Sequence, residues 1–255
     1  MRFGICCGTD KIGMVGDAGY DYVELALNRL DSSKEGVRAV RDSLANAGIG
    51  ADVCNCFFPS DIPLYGDEKR IREYAKERLA AAGEIGVGLA VFGCGRLRAT
   101  PSGMTKAEAE DRLLHLLGIL GDIGRDSGVR IVIEPLCRIE TDLINTVPEG
   151  LAFCRRLGHP NVGCLLDFFH FWKEGETLEE LDGFAPEKPA HVHLARANPD
   201  RMYPTDDDLD TLKIWFRKLK ELGYDDRISL ECIWYDQFDE VIRDTARIVR
   251  SAWNG

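Results

Sequence analysis

The sequence predicts a (β/α)₈ barrel in a single domain spanning residues 1–255. Three observations predict it. Apolar, β-branched runs alternate with stretches of helical spacing along the whole chain, about eight times. The length of 255 residues is close to the roughly 250 typical of such a barrel. The four runs of the second half each carry an acid or a histidine at their ends, out to the eighth run, whereas no GxGxxG turn follows the first run as it would in a doubly wound dinucleotide-binding sheet.

In chain order the strand-like runs are RFGICC (2–7), YVELA (22–26), ADVCNCF (51–57), GLAVFGC (88–94), RIVIEPL (130–136), VGCLLDF (162–168), PAHVHLA (189–195) and RISLECIW (227–234). Each is short and apolar, the pattern of a strand buried on both faces of a parallel sheet. Between them, Lys69 to Glu84, Lys106 to Asp126, Pro148 to Leu157, Asp208 to Leu222 and Asp236 to Trp253 carry apolar residues at helical spacing with charges between. Gly86, Gly128 and Gly223 follow three of these stretches as stop signals. The longest irregular stretches, Phe57 to Asp67, Gly95 to Thr105 and Asn198 to Asp207, all follow strand-like runs. In a barrel they become loops at the mouth, where binding sites are built.

Composition excludes several functions. A net charge of −11 disfavours nucleic acid as the main partner, because backbone phosphates require a basic face. No apolar run approaches the roughly 18 residues of a membrane span, and MRFGICCGTD does not read as a secretory signal. The nine cysteines are odd in number and form no CxxC pair, so they are expected to be reduced thiols in a cytoplasmic protein.

Function is expected where charge is hardest to bury. Glu134 closes RIVIE, Asp167 closes VGCLLD, His193 lies in AHVHLA and Glu231 closes RISLE. A carboxylate at the end of an apolar strand needs a metal, an arginine or a hydrogen-bond network. In a closed parallel barrel these four ends meet at one mouth. Three carboxylates and one imidazole suit an oxygen-preferring divalent ion: Mn²⁺ heads the expectation, with Mg²⁺, Co²⁺ or Zn²⁺ as alternatives. Such an ion stabilises the enediolate left when a proton leaves the carbon beside a carbonyl. Glu134 and Glu231, on different sides of the mouth, could remove and return that proton. The competing reading is a structural set of buried acids with arginine partners. Glu24, closing YVE, either points into the mouth or pairs with a lysine or arginine. Arg96, Arg98 and Arg138 either bind a substrate anion or orient the buried acids.

These residues match a family. The chain resembles the xylose isomerase-like TIM barrels, and most closely the ketose 3-epimerase and hydroxypyruvate isomerase branch of the sugar phosphate isomerases/epimerases. Glu134-Pro-Leu-Cys-Arg138-Ile-Glu140 resembles an E-x-x-N-R-x-E motif, with Cys137 where asparagine is usual, and Asn145 fits a following asparagine. Asp167-Phe-Phe-His170 resembles D-x-x-H, His191-Val-His193 resembles H-x-H, and Glu231 fits the final glutamate. The resemblance implies that Glu134, Asp167, His193 and Glu231 hold the metal, that Glu134 and Glu231 are the acid/base pair, and that Glu140, His170 and an arginine hold substrate oxygens. Arg201 is the expected arginine and Arg196 its rival; the glycines of the family's Pro-Gly-x-Gly loop are absent here.

The expected activity is therefore a metal-dependent isomerisation or epimerisation of a small ketose, keto-polyol or their phosphates, with a carbohydrate as partner and a homo-oligomer left open. The alternative is a dehydratase or lyase that runs the same enolate chemistry and expels a leaving group. A repair endonuclease of the endonuclease IV type would need a histidine-rich multi-metal cluster, and this chain has five histidines. A non-catalytic barrel would have no evident use for two buried glutamates.

Overall fold

The computed structural model describes residues 1–196 and 201–255. Eight parallel strands close into a barrel in sequence order: β1 (Arg2–Cys7), β2 (Tyr22–Ala26), β3 (Gly50–Asn55), β4 (Leu89–Phe92), β5 (Arg130–Ile133), β6 (Val162–Asp167), β7 (His191–Leu194) and β8 (Arg227–Leu230). Pairing of β1 with β8, from Arg2 beside Arg227 to Ile5 beside Leu230, completes the ring. All eight expected runs contain strands, and most of the expected ends lie within about three residues of the observed ones.

The helices are α1 (Ile12–Asp17), α2 (Lys34–Ala47), α3 (Glu68–Glu84), α4 (Gly95–Arg98), α5 (Lys106–Asp126), α6 (Val147–Leu157), α7 (Phe168–Lys173), α8 (Leu209–Glu221) and α9 (Phe238–Asn254). The five expected helices correspond to α3, α5, α6, α8 and α9. Helix α2 lies outside the expectation, although Val37, Val40 and Leu44 form a buried stripe between the Ser33 cap and Gly48 in the left-handed region. Helix α5 opens on a full capping box between Thr105 and Glu108. The stretch after β4 is only partly a loop, because α4 occupies its first four residues. Of the expected mouth loop at 198–207, residues 198–200 lie outside the described residues.

The apolar residues separate into two layers. Outward-facing strand residues pack against the helices in one large core. Tyr22, Val53, Leu89, Val91, Val132 and Leu165 fill the inside of the barrel. Tyr22 crosses the interior to share a 2.8 Å hydrogen bond with Ser229. Gly4 makes that crossing possible, since a Cβ there would stand 2.2 Å from the tyrosine ring. With the bottom and middle of the barrel plugged, polar groups gather at the C-terminal ends of the strands.

Among the described residues no helix is long and apolar enough to cross a membrane. All nine cysteines are free thiols.

Candidate active site

Four consecutive strands deliver the four expected residues. Glu134 directly follows β5, Asp167 ends β6, His193 lies in β7 and Glu231 directly follows β8. One donor atom from each lies within 4.8 Å of the others. Donors around a hard divalent ion at about 2.1 Å stand about 3.0–4.2 Å apart, so a small contraction would close this set on an ion.

His193 sits at the centre. Its Nδ1 lies 3.2 Å from Glu134 Oε1 and 3.1 Å from Glu231 Oε2. Its Nε2 lies 2.9 Å from Glu24 Oε1. Burial opposes charge on this ring, but Glu24 and Glu231 outweigh it and push the imidazole well above its ordinary pKa. With Nε2–H held by Glu24, loss of the other proton leaves the Nδ1 lone pair facing the carboxylates, the orientation a metal-binding histidine needs.

Glu24 resolves the choice left by the sequence in an unexpected way. It points into the barrel beneath the cluster, yet its partners are histidines and neither lysine nor arginine. Its second oxygen lies 3.0 Å from His191 Nε2. Burial alone would raise its pKa; the charge on His193 and the hydrogen bonds from both histidines pull it down to about 2.

The two glutamates experience opposite environments. Glu134 is 5% exposed, and burial, then repulsion from Glu231, lifts it to about 8. Burial would lift Glu231 too, but Arg201 and His193 hold it well below the usual carboxylate range. Asn55, at the end of β3, donates to Glu231 Oε1 at 3.1 Å. Asp167 accepts from the Phe169 amide at 2.7 Å, so it caps α7 as well as joining the cluster.

Arg201, rather than Arg196, enters the site. Its Nη2 contacts Asp167 Oδ2 at 3.0 Å and also bonds Glu231 Oε2, while its Nη1 lies 3.7 Å from Glu140. The guanidinium stacks 5.1 Å over the Phe169 ring, and its backbone holds a φ of 54°. Arg196 turns toward Met202 instead. The segment that carries Arg201 is tied to the chain after β8 by the Ile233 N–H, which donates to the Arg201 carbonyl at 2.8 Å.

His170 is buried in α7. Its Nδ1 accepts from the Cys137 amide at 3.2 Å, so Nε2 carries the proton of the neutral ring. Among the described residues that Nε2–H has no hydrogen-bond partner; Glu140 and Asp167 stand at 3.9 and 3.7 Å. Asn145 stays out of the cluster and fastens the loop after β5, donating to the Leu136 and Thr141 carbonyls.

Two further residues shape the position of Glu134. Arg98 is fully buried and, among the described residues, pairs with no carboxylate; it donates at 2.8 Å to the Glu134 carbonyl and at 3.2 Å to that of Ile144. It thus orients main chain, where the sequence left open a substrate anion or a buried acid. Arg138 instead pairs with Glu174 away from the cluster. Gly93 leaves the space for the Glu134 carboxylate, because a Cβ there would stand 2.4 Å from Oε2. Asn55 was not among the expected site residues. Its signal was a lone amide near the end of an otherwise apolar run.

The cluster opens into a cavity of about 260 Å³ lined by Phe57, Phe58, Glu140 and Arg201 among others. Of the aromatic residues that follow the strands, Phe57 and Phe58 wall this cavity and others do not. Phe168 stacks on Trp215 and Trp234 on Tyr203, while Trp172 and Tyr235 are exposed. A larger cavity of about 650 Å³ lies at the opposite, N-terminal end of the barrel, against Arg130, Val162 and Ala190, and holds none of the expected site residues.

A closed eight-stranded barrel with an acid and histidine cluster at its C-terminal mouth defines a class, and the family model agrees with it. The xylose isomerase-like TIM barrel model matches residues 13–252, and the chain belongs to that family. Among its relatives, an L-ribulose 3-epimerase from Methylomonas sp. is 27% identical over 93% of this chain and 82% of its own length. A ketose 3-epimerase from Arthrobacter globiformis is 26% identical over 84% of this chain and 74% of its own. An inosose isomerase from Bacillus subtilis is 28% identical over 52% of this chain and 50% of its own. In fold, the chain is similar to a D-psicose 3-epimerase crystallised in the presence of D-fructose, with a TM-score of 0.85, 20% identity and full coverage of both chains.

Proposed function

We propose that this protein is a divalent-metal-dependent epimerase of keto-sugars that inverts the carbon next to the carbonyl by proton transfer. The observation that carries the proposal is the placement of His193 Nδ1 between Glu134 and Glu231, at 3.2 and 3.1 Å, with Asp167 completing the set. Similarity to 3-epimerases of ribulose and other ketoses supports the same reading. Relatives named as isomerases and epimerases favour it over loss of a leaving group.

Glu134, Asp167, His193 and Glu231 would hold the ion. The donor set fits one: three carboxylates and a histidine whose far nitrogen is already committed to Glu24. When bound, the ion supplies a Lewis acid that makes the hydrogen beside the substrate carbonyl acidic. This chain's residues do the rest. One glutamate takes the proton from one face of the carbon, and the other returns a proton to the opposite face. His170 Nε2–H, Glu140 and Arg201 hold the substrate oxygens, and Phe57 and Phe58 exclude water while the carbanion is unprotected. A cytoplasmic location is proposed with this activity and is supported by the nine free thiols.

The test is proton exchange. In D₂O with Mn²⁺, a ketose should acquire deuterium at C3 with inversion, and EDTA-treated protein should not exchange. Deuterium at C1 with an aldose formed would make the enzyme an isomerase. Label accompanied by loss of water or an aglycone would make it a lyase. Conversion with every substrate hydrogen retained would remove the glutamates from their roles.

A further inference from the structure

Two thiols meet on the outer wall of the barrel, where α6 packs on β6. Cys164 lies in β6 and belongs to the core between strands and helices. Its sulfur rests against α6 at Gly150, where an added Cβ would stand 2.7 Å from it. Cys154 lies four residues further along α6, about one turn on and on the same face. The Cys164 S–H donates to the Leu165 carbonyl at 3.5 Å, and the Cys164 sulfur receives the Cys154 S–H. The two sulfurs are therefore in direct contact across the joint between helix and strand.

One thiol of the pair is reachable and the other is not. Both line the cavity of about 650 Å³ at the N-terminal end of the barrel, with Cys154 partly exposed and Cys164 buried. The hydrogen bond from Cys154, and then burial, push the Cys164 thiol well above its ordinary pKa, so Cys164 keeps its proton until a neighbour reacts. A solvent-accessible thiol held against a second one is the arrangement of an attacking and a resolving cysteine. The thiols at the mouth are poorer targets: burial pushes Cys56 up to about 11 and Cys94 to about 12, which slows their reaction with an oxidant.

We propose that Cys154 and Cys164 form a reversible oxidation site, at which a hydroperoxide converts the two thiols to a disulfide that ties α6 to β6. The Cys154 thiolate attacks the terminal oxygen of the hydroperoxide. An S–O bond forms, the O–O bond breaks, and Cys154 becomes a sulfenic acid as hydroxide or an alkoxide leaves. The Cys164 sulfur then attacks the Cys154 sulfur. The S–S bond forms, the S–O bond breaks, and the Cys164 proton departs with the hydroxyl as water. The two thiols have lost two electrons to the peroxide, and exchange with a small dithiol restores them. The bond would pin β6 three residues before Asp167. The site lies outside the barrel wall, away from the cluster at the mouth, and does not rest on the epimerase reading.

The experiment treats the Mn²⁺-loaded protein with hydrogen peroxide, blocks the remaining thiols, and digests with trypsin without reduction. Cys154 and Cys164 fall in separate tryptic peptides, residues 139–155 and 157–173, because Arg155 and Arg156 stand between them. Mass spectrometry should find these two peptides joined, with the link reversed by dithiothreitol and formed about tenfold faster than oxidation of the other seven thiols. Cys154→Ser should abolish the link and leave Cys164 reduced. Thermal melts give a second readout, since a disulfide that fits the fold stabilises it: oxidised wild type should melt above reduced wild type, and Cys154→Ser should show no such rise. Irreversible oxidation of Cys154 with Cys164 untouched, or links among other thiols in place of this one, overturns the proposal. A link that lowers the melting temperature also overturns it, because the bond would then form only by distorting the joint.

Discussion

The two halves of the barrel end their strands differently. Strands β5 to β8 each deliver one member of the cluster: Glu134, Asp167, His193 and Glu231. Strands β1 to β4 deliver supports. Glu24 holds His193, Asn55 holds Glu231, and Gly93, just past β4, leaves room for Glu134. The difference teaches that one arc of the ring supplies the clustered side chains and the other supplies the groups that hold them in place. Change in the first arc should weaken ion binding, and change in the second should abolish chemistry.

The strongest break in that contrast would come from the glutamates. Glu134→Gln and Glu231→Gln should each lower turnover by about 10⁴-fold or more, since each removes a proton carrier and a proposed ligand together. Steady-state rates with the ion still bound would measure it. A near-normal rate in either variant would take that residue out of the mechanism.

Glu24→Gln tests the first arc at a distance from substrate. It should weaken Mn²⁺ binding about 10–100-fold, the usual effect of removing a carboxylate behind a metal-binding histidine, as read by calorimetric titration. Asn55→Ala should have a smaller effect of the same kind, because Glu231 keeps Arg201 and His193 as partners. A loss of turnover with unchanged ion affinity in either variant would erase the division between the arcs.

The pH response should come from the second arc. Glu134 sits at about 8 in the fold against an ordinary value of 4.5. Between those values the folded chain binds a proton that the unfolded chain has released. The stability of metal-free protein should therefore fall as pH rises from about 4.5 to 8. Ion binding displaces that proton, so Mn²⁺ affinity should rise over the upper part of the same range. Thermal melts with and without Mn²⁺ at several pH values would show the two curves diverging. Glu24 has the opposite sign: its value of about 2 makes a stabilising contribution that is lost as pH falls from about 4.5 through 2.

The legible parts of this molecule in the sequence were those where one residue carries the signal. An acid or histidine at the end of an apolar run is conspicuous, and the four such residues of the second half converged. The choice of Arg201 over Arg196 agrees with its contacts to Asp167 and Glu231. What stayed hidden was pairwise. Nothing local to YVELA says that Glu24 faces two histidines 167 and 169 residues away. Nothing local to Asn55 points to Glu231, 176 residues on. Arg98 was hidden for a related reason, since its partners are main-chain carbonyls, which every residue possesses.

Gly93 carries a consequence for how this enzyme can change. An alanine there would meet only the far end of the Glu134 side chain, 2.4 Å away, so the chain should still fold while the carboxylate is displaced. Leu97 lines the same cavity without that constraint, whereas Cys56 and Cys94 line it from a left-handed backbone, at φ 48° and 63°, that few side chains tolerate. In a randomised library selected for new sugars, diversity should accumulate at position 97, positions 56 and 94 should drift toward glycine and asparagine, and position 93 should yield soluble, inactive clones and a single productive codon family.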